Sequence, residues 1–115
     1  MGLTRSDFIK PRELKHETVE VPELGGTVTV RELTAAERDS FEWRFTEARE
    51  SGAAPNLRGM LVARTVVDDE GNRILTDEDA DAVGKQSAAW VDRLFAVAQR
   101  LSGITGKDVE ELEGN

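Results

Sequence analysis

The chain of 115 residues contains no cysteine and no tyrosine, and His16 is its only histidine. Without cysteine, disulfides, thiolate metal sites and cysteine nucleophiles are excluded, and a single histidine leaves no His-pair metal site and no spare base for a catalytic triad. No apolar run approaches the roughly 18 residues of a membrane helix, and residues 1–7 lack the apolar core of a signal peptide. We therefore expect a soluble, cytoplasmic protein of single-domain length with no membrane partner.

Basic side chains are scarce relative to acidic ones, which gives a formal net charge of −8. The imbalance is concentrated in residues 68–82, where seven acidic side chains face Arg73 alone. A net-acidic surface repels phosphate backbones, so nucleic acid is not an expected partner. The acidic segment is interpreted either as solvated loops and helix starts or as a docking surface for a basic partner.

The acidic segment also lacks the spacing of known chemical sites. With Gly71 at the glycine position of an EF-hand loop, Val66 occupies the first ligand position, and a valine cannot bind calcium. The paired carboxylates lie in polar turns, where no apolar pocket would shift the pKa of one of them into the range needed for acid–base catalysis. Gly25-Gly26 is followed by no Lys-Ser/Thr pair, so it is not a phosphate loop. We predict no catalytic residues, no metal site and no cofactor, and hence a protein that is not an enzyme.

Alternating valines predict a β-hairpin over residues 17–33. Val19 and Val21 alternate with polar residues in the first strand, and Val28 and Val30 do so in the second. The intervening Pro22–Gly26 segment has the composition of a turn. A lone hairpin is marginal in water, so its valine face must pack on another element.

The remaining segments read as helices. Apolar periodicity and capping residues predict helices at residues 34–50, 56–67, 76–83 and 87–102, with a short last helix after Thr105. Thr34 and Glu37 have the spacing of a capping box at the start of the first of these helices. The helix at 87–102 has an apolar stripe formed by Trp90, Val91, Leu94, Val97, Ala98 and Leu101. Val66 and Val67 fit a helix end or a strand equally well. The fold class is therefore α+β and mostly helical, with an N-terminal β-hairpin packed on about four helices. Residues 1–14 are interpreted as an arm, either frayed or forming one helical turn, and residues 15–113 as a single domain.

Four apolar side chains are candidates for binding a partner. Trp43 leaves the face formed by Phe41 and Phe45, and residues 56–67 are apolar around most of the helix. Trp and Met are enriched at protein interfaces. The alternatives are that Trp43 covers the valine face of the hairpin and that Met60, like Trp90, belongs to the core. The predicted partner-binding residues are Trp43, Leu57, Met60 and Leu61.

Four segments in this order resemble the short tail assembly chaperones of long-tailed, siphovirus-like bacteriophages and prophages. They are VEVPELGGTVTVR at 19–31, LTAAERDSFE at 33–42, VDDEGNRILTDED at 67–79, and residues 87–105. The resemblance implies a protein that binds the tape measure protein in the host cytoplasm while tail-tube subunits polymerise around it. It also implies absence from the mature virion. The major tail tube protein is a second partner to consider, as is a homo-oligomer.

Two other functions compete with this interpretation. One is a small structural tail or head–tail component that stays in the virion, and the other is an acidic regulatory or antitoxin-like protein. A chaperone needs an exposed apolar surface and a charged exterior that keeps its complex in solution. The apolar helix at 56–67 and the acidic exterior are compatible with that requirement.

Overall fold

The computed structural model describes residues 1–114, which form six α-helices and one three-stranded antiparallel sheet. The α+β, mostly helical class predicted from the sequence is confirmed. The helices are α1 (Arg5–Ile9), α2 (Ala35–Glu50), α3 (Leu57–Thr65), α4 (Ala80–Gly84), α5 (Ala88–Leu101) and α6 (Gly106–Leu112), and the strands are β1 (His16–Val21), β2 (Gly26–Arg31) and β3 (Val66–Val67). None of the helices within residues 1–114 is long and apolar enough to cross a membrane.

The predicted hairpin is formed by β1 and β2. Their register runs from His16 opposite Arg31 to Val21 opposite Gly26. A single 3-10 turn at Pro22–Leu24 joins them, and Gly25 closes it with φ of 81°, a conformation that side chains with a Cβ disfavour. The inner face of the hairpin packs on the helices, as its alternating valines required.

The ambiguity at residues 66 and 67 is settled in favour of a strand. Val66 and Val67 pair with Val30 and Thr29 of β2, so the expected two-stranded hairpin is part of a three-stranded sheet. The third strand is only two residues long, which is too short for alternation to reveal it in a sequence. The chain then turns at residues 68–72 and returns, so that Arg73 bridges to Val67.

Helix α2 starts at the capping box that the sequence predicted. The Thr34 hydroxyl accepts a hydrogen bond from the Glu37 amide at 3.1 Å, and the Glu37 carboxylate accepts one from the Thr34 amide at 2.8 Å. The Arg31 guanidinium donates to both oxygens of the same carboxylate. The helix buries Phe41 and Phe45 on its inner face.

Helix α3 is the central helix of the fold. Seven of its nine residues are buried, so its wide apolar circumference belongs to a central helix rather than to the open partner-binding surface that the sequence suggested. Its Asn56 N-cap accepts a hydrogen bond from the Gly59 amide at 2.9 Å and donates one to the Ala80 carbonyl at 2.8 Å. A Cβ at Gly59 would collide with the Ala80 carbonyl and the Asn56 side chain, so glycine permits this close approach of α3 to α4.

Helix α5 closes the core against α3 and the sheet. Its predicted apolar stripe is buried, as Trp90, Val91, Leu94, Ala98 and Leu101 show. Gly103 ends the helix with φ of 68°, as expected for the residue after a helix C-cap. The core therefore lies between the inner face of the sheet and helices α2, α3 and α5.

The segment before the sheet stands away from this core. Helix α1 begins with an amide-to-carboxylate hydrogen bond of 2.8 Å from Thr4 to Asp7, and residues 1–13 are all exposed. The radius of gyration is 15.2 Å, against about 13 Å for a compact domain of this length. We call residues 1–14 the arm; its separation from a domain at 15–113 stays a prediction from the sequence.

Candidate functional site

The four predicted partner-binding residues do not share one surface. Leu61 is 1% exposed and Leu57 is also buried, so both belong to the core. Their burial means that the apolar circumference of α3 is covered by other elements rather than open as a groove. Met60 is half-buried against the core, and Trp43 on α2 is 64% exposed. Trp43 therefore does not cover the hairpin, whereas the expected core position of Trp90 is confirmed.

A hollow of about 710 Å³ lies between α2, residues 51–56 and the acidic turn before α4, and Trp43 is next along α2 to Arg44 of its lining without lining the hollow itself. Its lining combines charged side chains with small apolar residues and with Met60, the one predicted residue that lines it. Glu47 lies one turn after Trp43 on α2 and forms part of the wall. We call Trp43 together with this hollow the tryptophan surface.

A second apolar surface was not predicted from the sequence. It is a groove of about 490 Å³ between the hairpin tip and helices α4 and α5. Leu24 at the tip is 64% exposed and Ile74 is 54% exposed, while Val83 and Trp90 form deeper parts of the wall. The sequence did contain a signal for it, because Leu24 and Ile74 are large apolar residues within segments that otherwise have the composition of turns. A search for helical or strand periodicity does not detect such isolated residues. We call this the tip groove.

Acidic groups border the tip groove. Asp79 lines it directly, and an adjoining hollow that shares Thr27, Val28 and Ile74 with it is lined by Asp68 and Asp69. No lysine or arginine within residues 1–114 lines either of the two. The groove therefore combines an apolar interior with a negative edge.

A third apolar surface is carried by the arm. Four of its five large apolar side chains are exposed, Leu14 being the exception, and Phe8 at 76% is the most exposed aromatic residue of the chain. The arm has Arg5, Lys10 and Arg12 against Asp7 and Glu13, so its charge is opposite in sign to the edge of the tip groove. Its exposed apolar residues are Met1, Leu3, Phe8 and Ile9.

The ordered carboxylates serve the fold. Burial alone would raise the pKa of Asp77, but the hydrogen bond from Arg73 and the charges of Arg64, Arg73 and Arg44 outweigh it and lower that pKa. This cluster attaches the acidic turn to α2 and α3. A hydrogen-bonded Arg93 lowers the pKa of Glu23 to about 2 and fixes the hairpin tip to α5.

Asp68, Asp69 and Glu70, the residues considered for calcium or acid–base chemistry, lie on an exposed turn. Asp68 accepts hydrogen bonds from the amides of Glu70 and Asn72, which is the geometry of an ordinary turn. Within residues 1–114, no three His, Cys, Asp or Glu side chains are grouped so that they would hold a metal ion. What the geometry offers is apolar surface for protein contacts.

Comparisons with known proteins agree with this reading. A search of curated proteins finds no match. Among solved structures, the bacteriophage HK97 tail assembly chaperone has a similar fold, with a TM-score of 0.61 and 20% identity over 86% of this chain and 91% of that chain. The family model described as phage tail assembly chaperone matches residues 9–115. That family has an assembly role rather than an enzymatic one. The resemblance inferred from the sequence is thus confirmed at the level of the family, and the chain belongs to the phage tail assembly chaperones.

Proposed function

We propose that this chain binds the tape measure protein of a siphovirus-like phage in the host cytoplasm and keeps it soluble until tail-tube subunits enclose it. Membership of the tail assembly chaperone family over residues 9–115 is the observation that carries this proposal. A tape measure protein is a long helical chain with repeated apolar faces. Its chaperone must cover those faces and then leave, so we expect the chain to be absent from the mature virion.

The tryptophan surface is the proposed contact for the tape measure protein. Trp43 is a large aromatic side chain at 64% exposure on the longest helix, and exposed tryptophans of this kind commonly dominate the binding energy of an interface. The hollow, which Met60 lines, offers room for an apolar side chain of the partner. Leu57 and Leu61 take an indirect part, because their burial holds α3 in place beneath Met60.

The acidic exterior supports the same function. A net charge of −8 on 115 residues keeps a complex in solution when one member presents apolar faces. Charged residues at the rim of the tryptophan surface, such as Glu47 and Asp81, stay hydrated while the centre binds. The major tail tube protein is a second partner that this surface can serve in sequence as the tube grows.

Co-expression with the tape measure protein of the same phage genome tests the proposal. We expect the wild-type chain to shift that protein into the soluble fraction, and the double variant Trp43→Ala, Met60→Ala to lose at least several-fold of the effect. Glu50→Ala, an exposed change on the same helix outside the hollow, is the matched control and should behave as wild type. Circular dichroism of each variant establishes that it is folded.

Two outcomes would contradict the proposal. The tape measure protein could stay insoluble with the wild-type chain, or the folded double variant could solubilise it fully. Mass spectrometry of purified virions separates the chaperone from the structural alternative. A chaperone should be missing, whereas a tail or head–tail component would be present in a fixed ratio to the tube protein.

A further inference from the structure

Residues 15–114, which we call the body, leave few large apolar side chains exposed. Within this part of the chain they are Trp43 at 64%, Leu24 at 64% and Ile74 at 54%. Trp43 belongs to the tryptophan surface, whereas Leu24 and Ile74 both line the tip groove. A chaperone covers the apolar faces of its client with apolar surface of its own. Two of the three side chains of the body that are placed to do so therefore lie at the tip groove.

The tip groove and the tryptophan surface adjoin the same short element, helix α4. Ala80 and Asp81 line the hollow of the tryptophan surface, and Ala82 and Val83 line the tip groove. A client that occupies one of these surfaces is therefore held beside the other. Holding it there raises the effective concentration of its next segment at the second surface.

The lining of the tip groove favours a helical occupant. Apart from Thr27, Asp79 and Gln86, the side chains that line it are apolar. An extended segment would bring backbone N–H and C=O groups into this interior, where few partners exist for their hydrogen bonds. A helix satisfies those groups internally and presents only side chains, at positions i, i+3 or i+4, and i+7. The volume of about 490 Å³ is sufficient for several of them.

The charge at the edge of the groove defines what must border the apolar face of that helix. Asp79 lines the groove, and Asp68 and Asp69 line the adjoining hollow. Arg12 and Glu13 of the arm line a further hollow together with Asp68 and Asp69, but their charges cancel, so the edge stays negative. Lysine and arginine side chains of a partner complement such an edge, and acidic side chains are repelled by it.

We infer that the tip groove is a second contact for the tape measure protein and takes an amphipathic helical segment whose apolar face is bordered by lysine or arginine. The inference rests on the proposed function, because that function supplies a helical client with repeated apolar faces. Leu24 and Ile74 contact the apolar face at the rim, Val83 and Trp90 line the interior beneath it, and the basic side chains of the helix face the acidic edge.

Overlapping peptides that cover the tape measure protein of the same phage genome are the probe. Each has about 20 residues, which is long enough for an isolated helix, and fluorescence anisotropy of the labelled peptide measures its affinity for the full chain. We expect a subset with dissociation constants of roughly 10–100 μM, in which basic residues border an apolar face. The indole N–H signal of Trp90 in an NMR spectrum should shift when these peptides bind. Trp43→Phe identifies that signal, because the chain has two tryptophans.

Two variants locate the contact. The rim variant Leu24→Asp, Ile74→Asp changes two exposed positions and should weaken binding of these peptides by about tenfold or more. Asp69→Lys reverses one charge of the acidic edge and should weaken binding several-fold and reduce its dependence on salt. Glu50→Lys is the matched control, since it makes the same change in charge at an exposed position outside the groove. Trp43→Ala should bind these peptides like wild type, and circular dichroism establishes that each variant is folded.

The inference would be overturned if no peptide bound, if the folded rim variant bound the peptides as tightly as wild type, or if the bound peptides had no excess of basic residues. It would also be overturned if the rim variant changed only the self-association of the chain in sedimentation experiments, because a second copy would then cover the groove. Co-expression with the intact tape measure protein separates these failures from a failure of the proposed function. If wild type and the rim variant solubilise that protein equally, only the groove contact is wrong, whereas an insoluble client with wild type contradicts the proposed function itself.

Discussion

Helices α3 and α1 are both short and both carry large apolar side chains, yet their surroundings are opposite. Seven of the nine residues of α3 are buried, whereas α1 has no buried residue. Each helix has a side-chain cap at its start, Asn56 in α3 and Thr4 with Asp7 in α1. The difference shows that an apolar helix joins the core only when other elements of the chain supply a surface for it to pack on. Where they do not, its apolar side chains stay exposed and are available to bind another protein.

The largest contrast is expected from placing an aspartate in each helix. Leu61→Asp buries a carboxylate in the core and should cost about 4 kcal/mol or more, a large part of the roughly 5–15 kcal/mol by which such domains are stable. Phe8→Asp changes an exposed side chain and should alter the free energy of unfolding by no more than about 0.5 kcal/mol. Urea unfolding of the two variants against wild type measures both.

Leu61→Ala is the control for this comparison. It creates a cavity without a buried charge and should cost about 2–5 kcal/mol while unfolding stays cooperative. A Leu61→Asp variant as stable as wild type would show that α3 opens in solution. It would return Leu57 and Leu61 to the set of partner contacts that the sequence suggested.

Local signals in the sequence were sufficient for most elements. Thr34 with Glu37 predicted the start of α2, and the spacing of Trp90, Leu94 and Ala98 predicted α5, because a cap or a helical period depends only on neighbours along the chain. The two-residue strand β3 could not be identified in this way. Its identity depends on pairing with β2, some 36 residues earlier in the chain.

The surfaces were harder to predict than the elements. Leu61 was placed among partner contacts because apolar circumference does not reveal whether a helix is central or exposed. The tip groove was missed because Leu24 and Ile74 sit in separate turns that only the tertiary fold brings together. Trp43 was identified correctly as leaving the Phe41 face, and the structure places it at the surface.

A smaller contrast is expected from adding one methyl group to each region. Gly59→Ala would place a Cβ against the Ala80 carbonyl, and the backbone there has little room to move, so we expect a loss of about 1–3 kcal/mol in the free energy of unfolding. Gly2→Ala in the arm has open space around it and should have no measurable effect. Equal effects from the two changes would contradict the close packing of α3 on α4. Thermal unfolding of the two variants against wild type is sufficient to measure the difference.

The smallest contrast concerns the loss of stability at low pH. It compares Asp77, which is paired with arginines of α2 and α3, with Asp7 in the arm. Both carboxyls have a pKa below the ordinary 3.8. A lowered pKa in the folded chain stabilises it above about pH 3.8, and that contribution disappears as the pH falls through 3.8 and below. For Asp77 the loss is global, because protonation weakens the pairing with Arg64, whose side chain is only 9% exposed. For Asp7 it is local, because the hydrogen bond from the Thr4 amide holds only α1.

Asp77→Asn should therefore lower the free energy of unfolding by about 1–3 kcal/mol at pH 7 and by less at pH 3, so the acid-induced decline becomes shallower. Asp7→Asn should leave both values unchanged and reduce only the helical signals of residues 5–9 in an NMR spectrum. The measurement is urea unfolding at the two pH values. A steeper decline for Asp77→Asn would mean that its carboxylate destabilises the body through residual burial. An effect of Asp7→Asn on global unfolding would mean that helix α1 packs on its own chain, which would remove the contrast between α1 and α3.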